Sequence, residues 1–253
     1  MHSWVVDSVW RLNAVGWYHL VVFGAVIPYL AFRSSRHLAN PNLPPLDRMR
    51  HFRTTAAMLL LFAAFSLMTA WRLGLHLFPP PTRETALAIP VALALLVVAV
   101  VAMRPMWRRA VIKRKRVVHL FMPANATERA WWIAVALLAG ISEEITWRGV
   151  QIALLVPLVK SAFVAMLVTS ILFGLAHMTQ GWKSSGLIAL FATAFHSLVW
   201  LSGSLYVAMF VHAAYDVIAG ITYGRLGREL GYELPGPGTT ATVGSEGTTD
   251  LSG

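Results

Sequence analysis

The chain contains no cysteine. That excludes disulfides, thiol nucleophiles, S-palmitoylation and thiolate metal sites. Charge is also scarce: 13% of the 253 residues are charged, against about 25% in an ordinary soluble domain. Acidic residues are the scarcest, 11 against 21 Lys and Arg. No internal repeat is evident, so an inverted-repeat transporter gains no support. The first apolar run lacks the basic flank and small-residue cleavage site of a signal peptide, and is expected to be mature structure.

What the chain does have is apolar sequence, with 57% hydrophobic residues. Seven runs reach or approach the roughly 20 residues that cross a bilayer core. They cover 14–32, 54–74, 85–103, 130–156, 161–178, 186–201 and 204–223. The fold class they predict is all-α, a polytopic membrane bundle of about seven transmembrane helices. Because the sixth run is short, six or eight are the neighbouring counts. Three regions follow. Residues 1–129 form a transmembrane scaffold with little buried polarity, 130–223 a helical core, and 224–253 a cytoplasmic tail. The tail is mostly Gly, Thr, Ser and Pro, too little apolar surface to order it.

The net charge of +10 raises nucleic acid as a partner, but its distribution argues against one. Arg104, Arg108, Arg109, Lys113, Arg114, Lys115 and Arg116 crowd one loop, and Arg33, Arg36, Arg48, Arg50 and Arg53 another. Both adjoin apolar runs, the positive-inside pattern. The predicted topology is an integral membrane protein with both loops and the C-terminus in the cytoplasm and the N-terminus outside. The basic loops are expected to anchor topology and to meet anionic headgroups of the bilayer. Trp107, Trp131, Trp132 and Trp182, near segment ends, fit interfacial belts. The excess of Arg over Lys, with abundant Ala and Val, suggests a GC-rich, bacterial genome and hence a plasma membrane.

Three of the 11 acidic residues, Glu143, Glu144 and Asp216, lie inside apolar runs. A charge there costs roughly 2.5–3.5 kcal/mol on insertion scales, so such residues mark function or pair with one another. Glu144 and Arg148 stand one helical turn apart, with Glu on the favourable N-terminal side. Glu143 is turned about 100° from Glu144, so the two carboxylates serve different jobs: Glu144 neutralises Arg148, and Glu143 is left to face a cavity. A structural ion-pair cluster is the bland alternative. His212 and Asp216 are again i, i+4, and a local hydrogen bond would neutralise both. Phe173 and His177 share a face with Ser170 and Gly174, whose small side chains permit close helix approach. His196 is expected to be structural, and His19, His76 and His119 to be interfacial.

EEITWR at 143–148, FGLAH at 173–177 and HAAYD at 212–216 resemble the EExxxR, FxxxH and HxxxN/D motifs of the CPBP family. That family is named for CAAX proteases and bacteriocin-processing enzymes, and its members are also called Abi proteins. The resemblance spans about 130–223. It implies an intramembrane endopeptidase with a polar cavity open to the cytosol. Glu143 and His177 would activate a water, and His212 with the residue at 216 would stabilise the oxyanion. Glu144 and Arg148 match the supporting pair, with Phe173 beside them. A membrane-associated protein or peptide substrate follows, less readily a prenylated one in a bacterium.

Asp216 departs from the Asn that relatives often carry. An ionised Asp cannot donate a hydrogen bond. Asp216 is therefore protonated, or orients His212, or ligates a metal. The last option is a zinc peptidase with Glu143, His177, His212 and Asp216 as candidate ligands, the two-His-one-carboxylate kind of set. No HExxH helix supports it, and the favoured expectation is no cofactor. A non-proteolytic binding or ion-relay protein using the same groups is the alternative from another class.

Overall fold

A computed structural model describes residues 12–40, 42, 43 and 46–233. Of the expected disordered tail, residues 234–253 lie outside the described residues, and 224–229 are helical. Each of the seven apolar runs is helical, and no strand occurs among the described residues. The long helices are α1 (Ala14–Leu38), α2 (Arg48–Leu73), α3 (Arg83–Ile112), α4 (126–159), α5 (Ala162–Ala176), α6 (Trp182–Ser202) and α7 (Leu205–Glu229). Five of these, all but α4 and α5, are long and apolar enough to cross a membrane. The chain is an integral membrane helix bundle. This architecture follows from the solvent: in hydrocarbon a backbone must satisfy its own N–H and C=O groups, and a helix does so within one segment.

Polar caps set the boundaries. Asn13, Asp47, Asn125 and Ser161 accept backbone N–H bonds at the starts of α1, α2, α4 and α5. Each such cap contributes about 1 kcal/mol. Gly74 and Gly203 end α2 and α6 in the left-handed region, at φ of 66° and 64°.

Several expectations are corrected. The short sixth run is a full helix of 21 residues. The basic loop at 104–129 starts later, because α3 runs through Pro105 to Ile112 and carries Arg104, Arg108 and Arg109 on its last turns. At about 1.5 Å per residue, this 30-residue helix outreaches the roughly 30 Å hydrocarbon core, so its basic end emerges from it. Helix α7 runs past 223 to Glu229. Trp107 and Trp132 are buried inside the bundle and do not face headgroups. Trp107 packs on Tyr215 and Tyr223.

The N-terminal helices are more than lipid-facing scaffold. His19, expected at the interface, has no exposed surface. At the basic end, Arg48 is a clasp as well as a topology signal. Its Nε lies 2.9 Å from Glu128 Oε2, and its Nη1 donates to His119 Nδ1 at 3.3 Å. That bond requires neutral imidazole, and burial together with the adjacent Arg48 charge lowers the His119 pKa. The same carboxylate oxygen accepts the Ala124 N–H at 2.7 Å. The start of α2, the 116–119 turn and the start of α4 are thereby tied together.

Helix α4 is the spine of the bundle. Its first part, Ala126–Glu143, packs between α2 and α7. Gly140 permits the approach to α7: a Cβ there would stand 2.8 Å from the Ala213 N and Met209 O of that helix. The Trp132 indole fills the space above Gly220, and its Nε1–H donates to the Asp216 carbonyl at 2.9 Å. On the far side, Ser185 Oγ of α6 donates to the Gly174 carbonyl of α5. A Cβ on Gly174 would meet the Ser185 carbonyl at 2.7 Å. These contacts place the middles of α4, α5 and α7 around one cavity.

Candidate active site

The middle of α4 is not a plain α-helix. Residues Glu144–Gln151 form a π-helical stretch, followed by regular helix at Ile152–Val159. Such π turns are rare and concentrate at functional sites. All eight residues of this one are buried, including the charged pair at its heart. Arg148 Nη1 donates to Glu144 Oε1 at 3.0 Å, as the spacing predicts. Phe173 lies under the guanidinium, 4.3 Å from ring centroid to Cζ, and Phe195 at 5.6 Å. Cation–π contact of this kind contributes about 2 kcal/mol where water is excluded.

Glu144 has a second partner that the sequence did not reveal. His212 Nδ1 lies 2.7 Å from the same Oε1. A carboxylate only accepts, so Nδ1 carries the proton, and the other ring nitrogen, Nε2, is turned toward the cavity. His177 is oriented by a parallel device. It caps the C-terminus of α5, and its Nδ1–H donates to the Phe173 carbonyl at 2.8 Å. In the neutral ring, Nε2 is then a free acceptor. Phe173 also packs on the His177 ring at 4.5 Å and edge-on to His212 at 6.3 Å.

Glu143 stands where these two rings converge. Its Oε2 is 3.7 Å from His177 Nε2 and 3.7 Å from His212 Nε2. It makes no hydrogen bond among the described residues. Asp216 Oδ2 is 3.7 Å from the same His212 nitrogen, so the local His212–Asp216 hydrogen bond, the bland alternative for this pair, is not made. Gaps of this length are too long for direct bonds and short enough for one water to touch both atoms. All four side chains line a cavity of about 910 Å³. It reaches the basic end of the bundle, where Leu43, Asp47 and Arg50 border it.

The structure thus brings Glu143, His177, His212 and Asp216 together, with Glu144, Arg148 and Phe173 directly behind them. His196 is not among them; it is buried beside Arg148.

Zinc would set a definite spacing among these four groups. Ligands about 2.0 Å from a tetrahedral zinc lie about 3.3 Å from one another. The spacings here are 3.7 Å. Among the described residues no group of three or more His, Asp or Glu is arranged to hold a metal ion.

No curated protein and no solved structure matches the chain. A family model, described as type II CAAX prenyl endopeptidase Rce1-like, matches residues 125–218. All three motifs, with Glu143, Glu144, Arg148, Phe173, His177, His212 and Asp216, lie within that match, which covers less than half of the chain and supports the resemblance of this segment to the CPBP family of CAAX proteases and their relatives.

Proposed function

We propose that the protein is an intramembrane endopeptidase that hydrolyses peptide bonds of membrane-associated proteins or peptides. The observation that carries this reading is the approach of one partnerless carboxylate, Glu143, to two oriented histidine nitrogens at 3.7 Å inside a cavity. Peptide hydrolysis needs a base for water and donors for the oxyanion, and this cluster can supply both. A water between Glu143 and His177 Nε2 loses its proton to them as its oxygen attacks the scissile carbonyl. The His212 Nε2–H, in the protonated ring, donates to the oxyanion, with Glu144 fixing the ring through Nδ1. The proton held at Glu143 passes to the leaving amine as the C–N bond breaks. Glu144 and Arg148 hold this apparatus in place.

Asp216 is proposed to act as a neutral donor beside His212 or to orient its ring. The test is Asp216→Asn in the reconstituted protein, assayed on the fluorogenic peptide that the wild type cleaves fastest from a quenched library. Asn supplies a donor without needing to be protonated. The expected result is retained cleavage, no gain on adding zinc, and little inhibition of the wild type by chelators. Stoichiometric zinc in purified wild type, lost together with activity in Asp216→Asn, would establish the metallopeptidase instead.

Under the positive-inside rule, the basic loops support a cavity mouth on the cytoplasmic side. A cysteine introduced beside Arg109 provides a unique label in this cysteine-free chain. It is expected to react with an impermeant thiol reagent only after the cytoplasmic face is opened. Labelling from outside intact cells would reverse the orientation.

A further inference from the structure

A second buried polar cluster lies outside the site, and three of its hydrogen bonds form a chain. His19 Nδ1 is 3.0 Å from Gln151 Oε1, and His19 Nε2 is 3.0 Å from Ser66 Oγ. Ser66 Oγ is 2.9 Å from Thr146 Oγ1. All four residues are fully buried. The amide oxygen of Gln151 can only accept, so His19 donates from Nδ1 and accepts at Nε2. Ser66 then donates to His19, which leaves Ser66 Oγ to accept the Thr146 hydroxyl. With the Gln151 amide oxygen facing His19, the whole chain runs in one direction.

The two ends of this chain are on the π stretch. Thr146 and Gln151 are five residues apart, the spacing a π turn bonds across. In an α-helix they would point about 140° apart. His19 of α1 and Ser66 of α2 link them into a staple across one π turn. Four residues on from His19, Phe23 packs edge-on to Trp147 at 5.8 Å, from a second π turn at Val22–Val26.

We infer that His19 and Ser66 are positioning residues: their staple holds the π turn of α4 in the register that keeps Glu144 and Arg148 behind Glu143 and His212. Neither residue lies in the family-matching segment. The staple gives the N-terminal helices, which also line the cavity, a part in holding the site. The unstapled chain would offer Thr146 and Gln151 no partner on that face, and an α-helical register would turn them apart. The inference rests on the peptidase reading for its effect on rate, but not for its effect on the helix.

The experiment uses the full chain in lipid nanodiscs and the variants His19→Phe and Thr146→Val. His19→Phe keeps the ring contacts to Phe23 and Phe65, at 4.6 and 5.5 Å, and removes both hydrogen bonds. Amide hydrogen exchange should accelerate within 144–151 and stay unchanged in 162–176. On the same fluorogenic peptide, kcat should fall roughly tenfold to a hundredfold at unchanged KM. His19→Phe and Thr146→Val combined should cost no more than the larger single change, because one break opens the whole chain. Unchanged exchange in 144–151 would overturn the staple. Faster exchange with wild-type kcat, or a loss confined to KM, would overturn its positioning role. If His19→Phe does not fold, the nearly isosteric Thr146→Val decides alone by the same readouts. A wild type that cleaves nothing sinks the peptidase reading, while the exchange result still decides the staple.

Discussion

Glu143→Gln should leave a folded protein that no longer cleaves peptides, with turnover down by about 10²–10⁴-fold, the usual cost of a lost general base. The substitution preserves shape and removes only the capacity to take a proton from water. Folding should survive because Glu143 is not part of the internal ion pair. Its Oε2 has no hydrogen-bond partner, and the side chain keeps 17% of its surface exposed to the cavity. Replacing it therefore strands no buried charge. The check is a cleavage assay beside gel filtration in detergent. Near wild-type turnover in the Gln variant would remove Glu143 from the mechanism. The ion-relay alternative makes a different forecast: pH-driven ion movement in liposomes and no cleavage by the wild type at all.

Glu144→Ala should be worse for the protein than Arg148→Ala, and both should lower folded yield as well as activity. The asymmetry comes from the shared oxygen. Glu144 Oε1 accepts from Arg148 at 3.0 Å and from His212 at 2.7 Å. Removing Glu144 strands a guanidinium that is 2% exposed and also releases the ring that the proposed mechanism needs. Removing Arg148 leaves the carboxylate with His212. Breaking a buried pair from one side costs about 3–5 kcal/mol, a large part of the roughly 5–15 kcal/mol stability of a typical protein. The double variant Glu144→Ala/Arg148→Ala should be milder than the sum of the singles, because neither charge is then left alone. Yields and unfolding midpoints in a double-mutant cycle measure this, and strict additivity would mean that the pair does not interact.

Much of this molecule is set by its sequence alone. Seven apolar runs dictate seven helices, because hydrocarbon leaves the backbone no other way to pair its polar groups. The Glu144–Arg148 bond follows from i, i+4 spacing. The split between Glu143 and Glu144 follows from the 100° step between neighbours on a helix. The three motifs follow from reading residues in order.

Tertiary structure decided the rest. Periodicity shows which residues share a face, but not which face of another helix comes to meet it. Glu144 and His212 are 68 residues apart, and only the seating of α4 on α7 at Gly140 makes them partners. His177 and Glu143 meet because α5 ends at the right level. The local His212–Asp216 hydrogen bond that the i, i+4 spacing allows is not made; the two stand 3.7 Å apart. His19 looked interfacial because it lies near the start of an apolar run, yet burial depends on neighbours. Gln151 and Ser66, on two other helices, give its two nitrogens the partners that a lipid-facing histidine would lack. The π turn itself was invisible in sequence: the side chains that meet Thr146 and Gln151 come from 80 and 132 residues away.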